Sequence, residues 1–288
     1  MGHGKETPRQ KMIGMMYLFY TALMCLNVSK DVLNSFVLVS DSLEKSVAIY
    51  KTKNQKVYDE FEKQLAINEE KVKPWKEKAD GVKTLTDSLF NLIESYKIGL
   101  INLAEKDNAV NVIKPGRYVL DSLTSKDNMD FGGQFFCVDR VDGKTRGEIL
   151  KEKINEFRDE SLKYIPESEA ALASSIKSIL FTDDVVVEEV KYTWESKTFE
   201  HIPMIADLVM LERLQTDVKN VETDIINYLF KQISAGDFKF NALSATVIPN
   251  SNYIMRGNEY SATVFLAAFD STQAPEILVG SYKKTGPD

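Results

Sequence analysis

The chain has 288 residues, enough for one large domain or two modest ones. Hydrophobic residues make up 43% and charged residues 27%, a balance that allows a buried core. A net charge of −7 argues against nucleic acid as the main partner.

The charge is unevenly placed. Lys5, Arg9 and Lys11 outweigh Glu6 at the N-terminus, and the rest of the chain is acidic. Behind this basic tip, Met12 to Val28 carries no formal charge. As a helix that run is roughly 25 Å long, slightly short of a bilayer core of about 30 Å but within the range of known spans. Lys11 can snorkel at one end, with Asn27 and Ser29 at the other interface. Tyr17 and Tyr20 are unusual there, because a hydroxyl in lipid needs a partner. Each can bond to its own helix or a headgroup, or touch another transmembrane helix. Lys11, Tyr17, Tyr20 and Thr21 are therefore candidate contacts to a partner's span.

A cleaved export signal fits less well. The apolar run is long for one, and no A-x-A pattern follows it. Helical periodicity continues past it, with Val28, Val32, Phe36, Val39 and Leu43 at spacings of three or four among charged residues. The expectation is an uncleaved anchor that leaves the membrane as an amphipathic helix. Basic residues before the span place residues 1–11 in the cytoplasm and the bulk of the chain on the far side of a bacterial inner membrane. The two cysteines, Cys25 within the span and Cys137 far along the chain, are not expected to pair.

The first helix is predicted from Pro8 to Lys73, with Pro74 breaking it. A second follows from Trp75 to about Lys106, on Val82, Leu85, Leu89, Leu92, Ile93, Tyr96 and Leu100. Residues 108–142 are irregular, with "GGQFFCVDR" a loop that packs aromatics onto a bundle. Helices are expected from about Thr145 to Tyr164, from Glu167 to Phe181, and from about Pro203 to Ser234, with "TDDVVVEEV" a loop or short extended piece. Gly236 stops the last helix. "FKFNALSATVIP" and "EYSATVFLAAFD" then alternate with period two, and Tyr260, Ala262, Val264, Leu266 and Ala268 would share one face. The fold expected is mainly α: a tail (1–11), a transmembrane helix (12–28), a helical bundle (29–235) and the start of a β-sandwich-like domain (236–288).

Catalytic chemistry has little support. His3 and His201 are the only histidines, and no metal-binding, nucleophile-elbow, phosphate-loop or dinucleotide motif is present. The pairs Asp183/Asp184 and Glu188/Glu189 read as a solvated loop. No enzyme activity, cofactor or metal is expected. Trp194 and Phe199 read as core or interface aromatics ahead of a helix whose core face is Ile205, Leu208, Val209, Leu211 and Leu214, continued by Val218, Val221 and Ile225. Arg9 is the sharpest candidate. It is either an orientation signal at the headgroups or the cation that meets a carboxylate on a partner's transmembrane helix. In low dielectric, such a cation strongly lowers a carboxylate pKa and couples its proton to helix movement.

"TPRQKMIGMMYLFYTALMCLNVSKDVLNSF", "WESKTFEHIPMIADLVMLERLQTDV" and "EYSATVFLAAFDSTQAP" resemble the GldM family, also called PorM. The resemblance implies the periplasm-spanning rotor of the type IX secretion and gliding motor. It implies one span per subunit, paired as a homodimer inside a pentameric ring of the polytopic partner GldL (PorL). The proton-motive force would drive rotation, and Arg9 would face a membrane-embedded glutamate of the partner. Beyond the helical domain the family has several β domains that reach toward outer-membrane ring components, and this chain covers only part of the first. The alternative is a passive membrane-anchored scaffold. No acid lies in Met12–Val28, so the proton-binding group would sit on the partner.

Overall fold

The computed structural model describes residues 7–187, 190–234 and 242–269. It divides into two compact units, Met1–Ile233 and Ser234–Asp288.

The first unit is built on three long helices. Helix α1 (Pro8–Ile67) opens on a capping box: the Thr7 hydroxyl accepts from the Gln10 backbone N–H, the Gln10 side chain accepts from the Thr7 backbone N–H, and Pro8 takes the first turn. It runs unbroken to Ile67. Helix α2 (Glu69–Glu105) starts at once, because Asn68 leaves helical geometry and its side chain accepts from Lys71 N–H at 3.1 Å. The predicted break at Pro74 is therefore corrected. Pro74 lies inside α2 and forfeits only one backbone bond near the start of the helix, while the cap at Asn68 sets the corner. Helix α8 (Met204–Ile233) closes the bundle.

Ser40 of α1 meets Glu212 and Asn54 meets Glu222, so α1 and α8 run parallel. Lys97 of α2 meets Glu212 and Asp87 reaches Lys219, so α2 runs antiparallel to α8. The seam of α1 is Val37, Ser40, Val47, Asn54, Tyr58 and Phe61, all buried, with Glu44 and Lys51 at its rim. This is a three-four repeat, but one residue away from the predicted stripe. Val32 and Val39 remain exposed, whereas Leu33 and Val37 pack. On α8 the predicted core face holds, except that Leu214 is only half-buried.

Between α2 and α8 the chain makes a smaller layer. Helix α3 (Ala109–Val112) leads to the hairpin β1 (Ile113–Lys114) and β2 (Arg117–Tyr118). "GGQFFCVDR" is a short helix α4 (Phe131–Gly133) followed by a π-turn, Gln134–Val138, rather than a loop. It does pack aromatics: Phe136 stacks on Phe199 at 4.0 Å, and Tyr96, Phe135 and Trp194 complete an edge-on cluster. The hairpin β3 (Arg140–Val141) and β4 (Lys144–Thr145) then leads to α5 (Arg146–Leu162), which opens on a Thr145–Glu148 capping box. Helix α6 (Ala170–Ile179), hairpin β5 (Val185–Val187) with β6 (Val190–Tyr192), and α7 (Trp194–Phe199) complete the unit.

In the second unit β7 (Ala242–Pro249) and β8 (Ala262–Phe269) pair antiparallel, Ala245 opposite Leu266 and Val247 opposite Val264. Val247, Ile248, Val264, Phe265 and Leu266 are exposed, so both faces of the pair are open to solvent. Gly236 lies outside the described residues.

Candidate functional site

All five residues singled out for contact with a partner lie on the first turns of α1, and all are exposed. At 3.6 residues per turn, Arg9, Tyr17 and Tyr20 fall within about 80° of one another around the helix, and about 16 Å separates the first from the last along it. They share a side without forming a cluster. Lys11 points to the opposite side, onto a shallow groove lined by Gly14, Met15, Leu18, Phe19 and Ala22. Thr21 is turned inward on its own backbone: its hydroxyl donates to the carbonyls of Tyr17 at 3.0 Å and Leu18 at 2.9 Å. That satisfies its polar group without any partner chain.

The helix around these residues is apolar on every side, with Met12, Ile13, Met15, Met16, Leu18 and Phe19 exposed. Among the described residues, however, no helix is long and apolar enough to cross a membrane. The described part of the expected span ends at Ala22 and begins beside Arg9 and Lys11, which leaves it short of the roughly 20 residues a span needs. The side chains of 23–29, Cys25 among them, lie outside the described residues.

Deeper in the bundle, the three helices bring together charges that sequence reading did not single out. Lys97 is buried 3.3 Å from Glu212 and 3.8 Å from Glu94, with Gln215 at 3.3 Å and the Tyr118 ring beneath it. The Ser40 hydroxyl donates to Glu212 from α1. Burial would raise the Glu94 pKa, but hydrogen bonds from Tyr118 and Gln215 and the charge of Lys97 bring it below the usual carboxylate range. Two turns further along α8, Lys219 lies 3.0 Å from Glu222 and 3.1 Å from Asp87. Asn54 donates to Glu222 at 2.8 Å, and Tyr58 donates to it at 2.9 Å. Burial first, then Glu222, pushes the Tyr58 hydroxyl pKa far up. The signal was present in the sequence: Glu212, Gln215, Lys219 and Glu222 recur at three and four residues along α8, the spacing of a buried stripe.

Asp207 stands apart. Lys126 and Asn128 hold the start of α8 by accepting from the Ile205 and Met204 N–H groups. This presses the fully buried Asp207 carboxyl against Gly132, where a Cβ would come within 2.2 Å of Oδ2. Among the described residues neither oxygen has a hydrogen-bond partner, and burial pushes the pKa up to about 8. Nearby, burial and then Glu200, Glu195 and Asp207 push the Cys137 thiol up to about 12, so it stays protonated and is a poor nucleophile or ligand. No group of His, Cys, Asp and Glu among the described residues could hold a metal ion. Asp184 accepts from Lys151 and Lys191 in a solvated ion cluster, and Glu188 and Glu189 lie outside the described residues.

The family model for the GldM N-terminal domain matches residues 31–232. The chain belongs to the GldM family. The model for the GldM second domain matches residues 234–285, so a second matched segment follows directly. Membership indicates a part in the gliding and type IX secretion machinery. Both ionic layers and Asp207 fall inside the first match, while Arg9, Lys11, Tyr17, Tyr20 and Thr21 precede it. No curated protein matches the chain.

Proposed function

We propose that this chain is the subunit of a proton-driven inner-membrane motor that carries torque into the periplasm for type IX secretion and gliding. Met12–Val28 of α1 crosses the inner membrane with residues 1–11 in the cytoplasm, and the bundle and the first strands of a sandwich-like β domain lie in the periplasm. Two copies pair, and their spans sit inside a ring of the polytopic partner GldL. Arg9 meets the partner's membrane carboxylate, and Lys11, Tyr17 and Tyr20 contact its helices. In a longer chain, further β domains reach outer-membrane components.

One observation carries this reading: α1 is a single helix from Pro8 to Ile67, continuous from the apolar, arginine-bearing end into the buried seam of the bundle. A movement imposed at Arg9 would pass along this one helix to the residues that pack on α8. The family match supplies the machinery in which such a movement has a use. The test is Arg9→Ala in cells, with secretion, gliding and co-purification of the polytopic partner measured together. The motor reading expects assembly with little secretion, and partial loss for Arg9→Lys, because a point charge replaces a planar fork. Normal secretion by Arg9→Ala would leave the passive scaffold as the function.

A further inference from the structure

The α1 seam carries polar residues where packing alone would place apolar ones. Ser40 and Asn54 are buried, occupy matching places in the three-four repeat, and are bonded to charges on α8: Ser40 to Glu212, Asn54 to Glu222. Asn54 is also held at its carbonyl oxygen, which accepts from Thr223 at 2.6 Å. Behind each carboxylate stands a buried lysine: Lys97, which belongs to α2, beside Glu212, and Lys219, which reaches Asp87 of α2, beside Glu222. Each layer thus joins all three long helices. Buried ion pairs of this kind are weak contributors to stability, and apolar replacements of similar volume often do as well or better. Their best-attested use is to select one register, because any slip leaves a charge unpaired in the core.

We infer that Ser40 and Asn54 are register keys, which lock α1 to α8 so that motion of α1 is delivered to the bundle rather than lost by sliding along an apolar seam. Val37, Val47 and Phe61 are apolar and accept neighbouring apolar partners with little discrimination, while Tyr58 adds a further hydrogen bond to Glu222 in the Asn54 layer. The two polar layers are spaced two heptads apart on α1, so a slip by one helical turn, about 5 Å, unpairs both at once. The register role stands on the geometry; the coupling role rests on the motor reading above.

The test replaces one layer with hydrocarbon. Asn54→Leu/Glu222→Leu leaves the other members partnered: Lys219 keeps Asp87, Thr223 keeps the Lys219 carbonyl, and Tyr58 keeps the Ala79 carbonyl. Nitroxide labels on the exposed positions Ser42 and Arg213, introduced as cysteines in a full-length background without Cys25 and Cys137, report the α1–α8 distance. The original chain is expected to give one narrow distance. The double variant is expected to keep its thermal midpoint within a few degrees, to show a second distance population, and to lose most secretion while still assembling. The exchanged pair Asn54→Asp/Glu222→Asn retains a polar key and is expected to restore the single distance and secretion. It also keeps the inference testable if the leucine pair fails to fold. A single unshifted distance in a folded leucine variant overturns the register key. A second distance with normal secretion overturns the coupling role, as does an exchanged pair that folds in one register yet does not secrete. None of these outcomes depends on Arg9, so failure of the motor reading is seen separately.

Discussion

Asp207→Asn removes a carboxyl that the bundle buries against a glycine backbone with neither oxygen hydrogen-bonded among the described residues. In the unfolded chain this acid titrates near 3.8, and in the folded chain near 8. The folded state therefore holds a proton that the unfolded state has released across that whole window. Stability must fall as pH rises from about 4 to about 8, by about 1.4 kcal/mol per unit, and level off above. The full swing is on the order of 5 kcal/mol, comparable with the net stability of a domain. Asparagine keeps the shape, adds an unsatisfied amide and does not titrate. Urea unfolding of the full chain in detergent, followed by tryptophan fluorescence at Trp75 and Trp194, measures both proteins from pH 5 to 8.5. The difference, original minus variant, should decline steadily with pH, because the other titrations are common to both and cancel. Two parallel pH profiles would refute the assignment and mean that water or a donor reaches the carboxylate.

Gly132→Ala should destabilise by about 1–3 kcal/mol, since the new methyl overlaps the Asp207 carboxyl; in an Asp207→Ala background most of that loss should vanish in a double-mutant cycle. Lys97→Met leaves Glu212 buried with only Ser40 as a partner and should lower stability by about 3–5 kcal/mol, whereas Lys97→Met/Glu212→Met should recover much of it, both read by thermal unfolding. Asn68→Ala removes the cap that starts α2 and should cost about 1 kcal/mol in the same measurement, with no comparable effect from replacing Pro74 by alanine.

The amino-acid order alone determined the local features. Apolar periodicity marked the three long helices, Pro8 marked the start of α1 and Thr145 that of α5, and strict alternation marked β7 and β8, because each of these signals lies within a few residues of the element it specifies. Even there, a local rule misled at Pro74: the sequence contains both a proline and a capping asparagine, and the cap won. The tertiary structure decided what depends on distant partners. Ser40 reaches Glu212 across 172 positions and Asn54 reaches Glu222 across 168, so no window along the chain could show that α1 buries Val37 and Ser40 and leaves Val32 and Val39 exposed. Asp207 reads as an ordinary acid in the first turn of a helix, where negative charge is favoured. Packing in the assembled core, with Gly132 against it, removes the water and pushes that acid's pKa up to about 8, because desolvation is a property of the core and not of the neighbours in sequence.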